Sequence, residues 1–280
     1  MAFKPAFEAF REELDDYNDR RERLIKASRD ITNLSKKTIF LLHRLTLERE
    51  ASNDGGSEEG PSRMPDVAKQ GYEKLRQVQD LYASLRPELV GDLYWRHERQ
   101  VSPGLQEYIE ALGFAYYLEH GTLIPFNEVQ KTLSDPHGAP YFPLTVSDYL
   151  LGLSDLTGEL MRYAISGLSR KGGRKRATEI CVFVRNCKAD FERYTPYIRD
   201  LRKKQAVTSN SLEKIEDAVY AIFLRSSEYD LPAEILDDIV AQSISNFSRS
   251  EEGGGGGHSN RRSGRGRTTE GYDSGDEEGF

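Results

Sequence analysis

The chain has 280 residues, of which 37% are hydrophobic, and a formal net charge of −7 at pH 7. A chain of this size and composition can bury a substantial core, in one domain or in two. The acidic balance argues against a protein that coats nucleic acid over its whole surface, so any such contact would come from local basic patches.

The sequence carries no signal for a membrane or for export. It has no run of the ~18 apolar residues that a spanning helix needs, and residues 1–5 do not resemble a secretory signal. Cys181 and Cys187 have a spacing that suits neither a CxxC redox motif nor a local disulfide, and we expect both to be buried. These features predict a reduced compartment, the cytoplasm or the nucleus.

The N-terminal region predicts one long helix. Apolar and small residues recur in steps of three and four from Phe7 to Leu45, and only Arg21 breaks the series outright. Such a helix would have about forty residues and a length of roughly 60 Å. This length indicates an arm of an extended bundle or part of an assembly, although an ordinary amphipathic core helix fits the same pattern.

The middle of the chain predicts shorter helices separated by loops. A segment at about 50–65 is rich in Gly, Ser and acids and predicts a flexible loop, followed by a helix over about 66–85 and a further segment over about 88–100. Ser102 and Pro103 suit an N-cap and a first helical position, so we expect the helix to restart or kink there. A short helix after Pro125 and a Pro/Gly loop at 135–143 follow.

In the last part of the chain, Thr145 or Ser147 is expected to cap a helix that ends near residue 168, before a basic turn over 169–176. Helices are predicted over about 177–194 and 209–226, and a short one over about 233–245. The hydrophobic pattern is then lost, which predicts a disordered Gly/Arg-rich and acidic tail over 248–280. No strand pattern of useful length occurs, so the predicted fold is all-α, an extended bundle of about six to seven helices within 1–247.

Two pairs of carboxylates form the candidate site. Glu107 and Glu110 are three residues apart, and Asp155 and Glu159 are four apart, so each pair projects from one side of its helix. The second pair falls in a polar stripe roughly 80° wide between apolar residues, which is narrower than a solvated helix face. The first pair lies on a face that continues as apolar residues. Neither pair therefore has the surroundings of ordinary surface charge.

Carboxylates clustered in a partly dry place repel one another and take up protons unless a cation joins them. Mg²⁺ prefers hard oxygen ligands, and one or two such ions would activate water and stabilise charge on a phosphodiester. A di-iron site is disfavoured because Glu110, not a histidine, follows Glu107 at the diagnostic spacing. The alternative is a set of structural ion pairs, with Arg162 as partner of Asp155 or Glu159, and spacing alone ranks that alternative first.

A second candidate, for nucleic-acid binding, consists of Arg96, His97 and Arg99 beside Tyr94 and Trp95. Cationic and stacking side chains in this arrangement are typical of a path for single-stranded nucleic acid. An amphipathic helix with solvated arginines explains the same residues equally well.

Two further basic features have a simpler interpretation. His43, followed by Arg44, is interpreted as a favourable charge at the C-terminal end of the long helix. The basic stretch at 261–267 fits RNA binding, nuclear import or a solubilising linker.

Five stretches of the sequence occur in a characteristic order with characteristic gaps between them. They are residues 28–32, 37–44, 104–111 (GLQEYIEA), 146–152 and 155–162 (DLTGELMR). Together they resemble the translin family and, within it, the X branch. The resemblance extends over about residues 3–245, whereas the loop after Leu47 and the tail look specific to this chain.

The resemblance implies an all-helical, translin-like fold and a barrel-shaped hetero-oligomer with translin that binds single-stranded RNA and DNA. It implies a Mg²⁺-dependent endoribonuclease that removes passenger strands in RNA silencing and processes tRNA precursors. It assigns the catalytic and metal-binding roles to Glu107, Glu110, Asp155 and Glu159, all present in this sequence. The alternative is a non-catalytic subunit that stabilises translin and binds single-stranded nucleic acid.

Overall fold

The computed structural model describes residues 3–52, 64–168, 173–228, 235 and 238–243. Regular structure in these ranges is helical, with an isolated β-bridge between Ser134 and Pro140 and no strand, which confirms the all-α prediction. The helices are α1 (Phe3–Ser52), α2 (Pro65–Leu85), a short 3-10 helix (Arg86–Glu88), α3 (Asp92–His120), α4 (Phe126–Thr132), α5 (Val146–Ser166), α6 (Gly173–Glu192) and α7 (Leu201–Glu228).

Helix α1 has 50 residues and is longer than predicted. From Leu24 onward its stripe is buried, and the small side chains of Ser28, Ser35 and Thr38 belong to that buried part. The apolar side chains from Phe7 to Tyr17 are exposed. This division agrees with a helix that extends beyond the core of its own chain.

Helix α3 is continuous through Pro103, so the predicted restart at Ser102 and Pro103 is wrong. Proline in a helix interior removes one backbone hydrogen bond, but packing on both sides of α3 outweighs this local penalty. The next residue, Gly104, donates its backbone N–H to Ser28 Oγ of α1 at 3.1 Å. Ser102 does not cap a helix and instead donates its hydroxyl to Asp148 of α5.

Helices α3 and α5 occupy the centre of the bundle. Helix α3 packs against α1, α2 and α5, and α5 packs in addition against α6 and α7. The backbones of α3 and α5 approach closely at Gly152, where an added Cβ would lie 2.8 Å from the Cβ of Ile109 and 2.9 Å from the carbonyl oxygen of Gln106. The two helices that carry the acid pairs are therefore in direct contact.

Several predicted boundaries are confirmed and others are shifted. Thr145 is the N-cap of α5, and its Oγ1 accepts the backbone N–H of Asp148 at 3.0 Å. Helix α7 begins at Leu201, well before the predicted start near residue 209. Cys181 and Cys187 are free and buried as expected, and burial raises the pKa of each thiol.

Other predictions fall partly outside the described residues. They include residues 53–63 of the predicted loop, residues 169–172 of the basic turn and the whole of the predicted tail over 248–280. Residues 238–243 are helical, in agreement with the short helix expected there. In the part of the chain that is described, no helix is both long enough and apolar enough to cross a membrane.

The close approach of α3 and α5 predicts that Gly152→Ala destabilises the fold by about 1–3 kcal/mol, because the new methyl group would overlap Ile109 and the backbone of Gln106. Gly158→Ala is the matched control in the same helix, since nothing lies within 4 Å of its added Cβ. We expect the control to be neutral or more stable by about 0.5–1 kcal/mol. Denaturant unfolding followed by circular dichroism measures both, and equal effects would contradict the packing argument.

Candidate acidic site

Three of the four predicted carboxylates converge on the fourth, Glu110 of α3. The charges of Asp155, Glu107 and Glu159 all act on this side chain, which places the two pairs in one acid cluster (Glu107, Glu110, Asp155 and Glu159). Glu110 is only 9% exposed and forms no side-chain hydrogen bond or ion pair with any described residue. It is the buried, unpaired centre of the cluster.

Burial is the largest cause that raises the pKa of Glu110, and the charges of Asp155, Glu107 and Glu159 raise it further. The ammonium of Lys204 opposes them, and the net result is a pKa of about 8. Glu110 therefore holds its proton at neutral pH as long as no metal ion is bound.

The outer acids of the cluster already have cationic partners. Lys36 of α1 places Nζ 3.2 Å from Glu107 Oε1. Lys204 of α7 forms an ion pair with Asp155 Oδ2. Both acids thus form ion pairs, as the alternative interpretation expects, but their partners are lysines of α1 and α7.

Glu159 has two partners. His43 of α1 places Nε2 2.7 Å from Glu159 Oε2, and Arg162 donates Nη1–H to the same oxygen at 3.2 Å. Arg162 was the expected partner, but the interpretation of His43 as a helix-end charge is wrong, because α1 continues to Ser52. The His43 ring is buried and lies 4.7 Å from the ring of Phe114, centroid to centroid.

Lys204 is a site residue that the sequence did not reveal. It lies in the first turn of α7, eight residues before Leu212, in a polar and basic stretch that was predicted to precede the helix. Two buried hydrogen bonds fix α7 against α5, one between Thr208 and Thr157 at 3.0 Å and one from Gln205 to Ser154 at 3.2 Å.

The Lys204 ammonium also contacts Gln106 Oε1 at 3.3 Å and the carbonyl oxygen of Leu151 at 3.4 Å. Gln106 is oriented in turn by Asp148, whose Oδ1 accepts the Gln106 side-chain amide at 2.9 Å. The carboxylate of Asp148 also accepts the hydroxyls of Ser102 and Thr145. Asp148 is therefore a structural acid that positions the amide beside Lys204.

The acid cluster offers only carboxylate oxygens, the donor type that Mg²⁺ prefers. Among the described residues, no three His, Cys, Asp or Glu side chains are already arranged around one metal position. The outer carboxylates point to their cations, and Glu110 carries a proton. The residue types fit a hard divalent cation, and binding one requires these side chains to rearrange locally.

The three predicted nucleic-acid-binding residues differ in accessibility. His97 is only 1% exposed and stacks on Tyr17 with ring centroids 4.7 Å apart. Burial, followed by the charges of Arg20 and Arg96, lowers the pKa of His97 and favours the neutral ring. Arg96 and Arg99 are exposed, so only these two present charge to a ligand.

The fold and the site define a class of protein, an all-helical bundle with a carboxylate cluster on its two central helices. Lysines of neighbouring helices form ion pairs with the outer carboxylates of this cluster. The profile of the Translin family matches residues 19–226, which include the whole cluster and Lys204. The chain belongs to the translin family.

Curated relatives agree with this assignment. The chain is 34% identical over 258 residues to Translin-associated protein X of Rattus norvegicus, covering 84% of this chain and 83% of the relative. It is 30% identical over 227 residues to the Translin-associated protein X homolog of Schizosaccharomyces pombe, covering 79% and 89%. It is 25% identical over 207 residues to Translin of Gallus gallus, covering 72% and 88%.

Solved structures share the fold. The crystal structure of apo-NeC3PO matches with a TM-score of 0.58 and 20% identity, over 77% of this chain and 96% of that one. The AfC3PO–duplex RNA complex matches with a TM-score of 0.50 and 20% identity, over 77% and 95%. At this level of identity the likeness establishes the helical architecture.

The state of Glu110 predicts how stability depends on pH. Its pKa is about 8 in the folded chain and near its usual 4.5 in the unfolded chain, so the folded state binds the extra proton and stability falls as pH rises between these values. Glu110→Gln removes this dependence. In metal-free buffer, the stability of the variant relative to the unsubstituted chain should increase from pH 5 to pH 8 and then level off.

Thermal unfolding with a chelator present measures this difference. Glu98→Gln is the control, since Glu98 lies on the same helix but away from the cluster. The control should follow the unsubstituted chain at every pH. A constant difference between Glu110→Gln and the unsubstituted chain across this range would contradict the buried, protonated state.

Proposed function

We propose that the chain is a Mg²⁺-dependent endonuclease subunit for single-stranded RNA that works in a hetero-oligomer with translin. The observation that carries this proposal is the convergence of three carboxylates, Glu107 from α3 and Asp155 and Glu159 from α5, on the buried, unpaired Glu110. Excess negative charge at a dry position favours a hard divalent cation.

Partnership and substrate class rest on the relatives. Proteins similar over most of this chain are named for their association with translin, and a structural neighbour, AfC3PO, was solved with duplex RNA. On the family resemblance we assign the subunit to passenger-strand removal in RNA silencing and to tRNA precursor processing, in the cytoplasm and nucleus. We propose binding of single-stranded DNA on the same ground.

Mg²⁺ bound at the acid cluster would supply an activated water and stabilise charge on the phosphodiester. Glu107, Glu110, Asp155 and Glu159 would hold it. Glu110 must release its proton to join them, so binding should strengthen as pH rises. Lys36 and Lys204 hold the side chains of Glu107 and Asp155 in place through ion pairs while the site is free of metal.

A second candidate is a non-catalytic subunit that stabilises translin and tunes its nucleic-acid binding. The existing ion pairs of Glu107, Asp155 and Glu159 favour it, because they account for these acids without any metal. The exposed apolar residues of α1 from Phe7 to Tyr17 fit such a role as well.

Cleavage of single-stranded RNA by the complex, compared with translin alone and with or without Mg²⁺, separates the two candidates. We expect Glu107→Gln and Asp155→Asn to reduce Mg²⁺-dependent cleavage by about a hundredfold or more while the complex still assembles. Glu98→Gln, on the same helix as Glu107, is the control and should retain full activity. Cleavage at the full rate by either cluster variant would refute the catalytic assignment.

The ion pair between Lys204 and Asp155 predicts a change in metal affinity that can be measured without a cleavage assay. Its ammonium competes with a metal for Asp155, so Lys204→Gln should bind Mn²⁺ about tenfold more tightly, a difference of about 1.4 kcal/mol. Lys203→Gln, one residue earlier and exposed, is the matched control with the same change of charge. Titration followed by electron paramagnetic resonance measures free Mn²⁺. Equal affinities for the two variants would exclude competition at Asp155.

A further inference from the structure

Arg29 differs from the other arginines of α1. Each of the others forms an ion pair with a carboxylate, namely Arg11, Arg20, Arg21, Arg23, Arg44 and Arg49. Arg29 is exposed and has no carboxylate partner among the described residues. A guanidinium without an anion on a helix rich in such pairs is available to an external ligand.

Arg29 lines a groove of about 550 Å³ between α1 and α3. Across the groove lies Arg99, which is likewise exposed and without a carboxylate partner in the described part of the chain. Gln100 also lines the groove, and its buried Oε1 accepts no hydrogen bond from any described residue. The groove thus presents two cations that lack an anion and one acceptor that lacks a donor.

These features match a ribonucleotide strand. Phosphate oxygens accept bidentate hydrogen bonds from guanidinium groups, and the ribose 2′-hydroxyl supplies a donor that DNA lacks. An acidic peptide would offer carboxylates to the two arginines and backbone N–H groups to Gln100, so hydrogen bonding alone does not select the ligand. The position of the groove beside the acid cluster, whose proposed substrate is RNA, selects the ribonucleotide strand.

The groove leads to the acid cluster on both of its walls. Pro103 at its edge lies one helical turn before Glu107 on α3, and Asn33 lies one turn before Lys36, the cation that contacts Glu107. Arg99 is eight residues before Glu107, which is roughly 12 Å along the helix axis. A strand in the groove would extend directly toward the carboxylates.

We propose that this groove, the Arg29–Arg99 groove, binds the RNA strand adjacent to the acid cluster, with Arg29 and Arg99 on phosphates and Gln100 on a ribose hydroxyl. The inference deepens the proposed function and rests on it for the identity of the substrate. It also assigns separate roles to the predicted basic residues: Arg99 contacts the strand, whereas His97 is a core residue.

The test uses the complex with translin and a fluorescent single-stranded oligoribonucleotide, in the presence of a chelator so that binding is measured without cleavage. Arg29→Gln and Arg99→Gln should each remove one phosphate contact and weaken binding. Each should also reduce the magnitude of the slope of the logarithm of the binding constant against the logarithm of the salt concentration by about 0.7. Lys37→Gln, exposed on the same helix but outside the groove, is the control with an equal charge change. Slopes and affinities equal to those of the control would overturn the proposal.

Gln100→Leu tests the ribose contact. It should weaken binding of RNA but leave binding of DNA of the same sequence unchanged, and equal effects on both would overturn the assignment of Gln100. Failure of the proposed function has a different signature. If the unsubstituted complex binds RNA through the groove but never cleaves it with Mg²⁺, the endonuclease proposal fails and the groove stands.

Discussion

The burial of Glu110 beside three other carboxylates is the constraint on which the rest of the structure depends. Like charges at a dry position are unfavourable, and the molecule offsets them by protonating the central acid and pairing the outer ones with cations. Those cations come from several elements, namely Lys36 from α1, Lys204 from α7 and Arg162 from α5 itself, and the His43 ring of α1 contacts Glu159 as well. The electrostatics of one glutamate on α3 therefore link this helix to three others, α1, α5 and α7.

Packing makes this neutralisation possible. Lysine and histidine side chains reach the acids only if α1, α3 and α5 lie close together, and small residues provide that proximity. Gly104 rests against Ser28 between α1 and α3, and Gly152 rests against Ile109 between α3 and α5. A methyl group at either glycine would separate helices that share the acid cluster. The stability of the bundle and the geometry of the site thus depend on the same contacts.

The sequence predicted what is periodic and local. Hydrophobic spacing was sufficient for the all-α fold and for α2 and α5, and helical spacing identified both acid pairs. Partners from distant helices have no such signal. Lys204 was missed because the first turns of α7 are basic and polar, and Pro103 was interpreted as a break because its tertiary contacts are invisible in sequence. Which cation meets which acid depends on packing, which a single sequence does not encode locally.

The exposed stripe at the start of α1 has a consequence for the amount of the protein. Phe7, Phe10 and Leu14 are each at least 60% exposed, and all three lie outside the segment matched by the family profile. Adjacent large apolar side chains in water favour self-association. Burial of the stripe against another surface would remove this tendency, so we expect the free chain to self-associate more readily than the assembled subunit. The amount of free chain would then depend on the supply of that surface, which links subunit abundance to assembly.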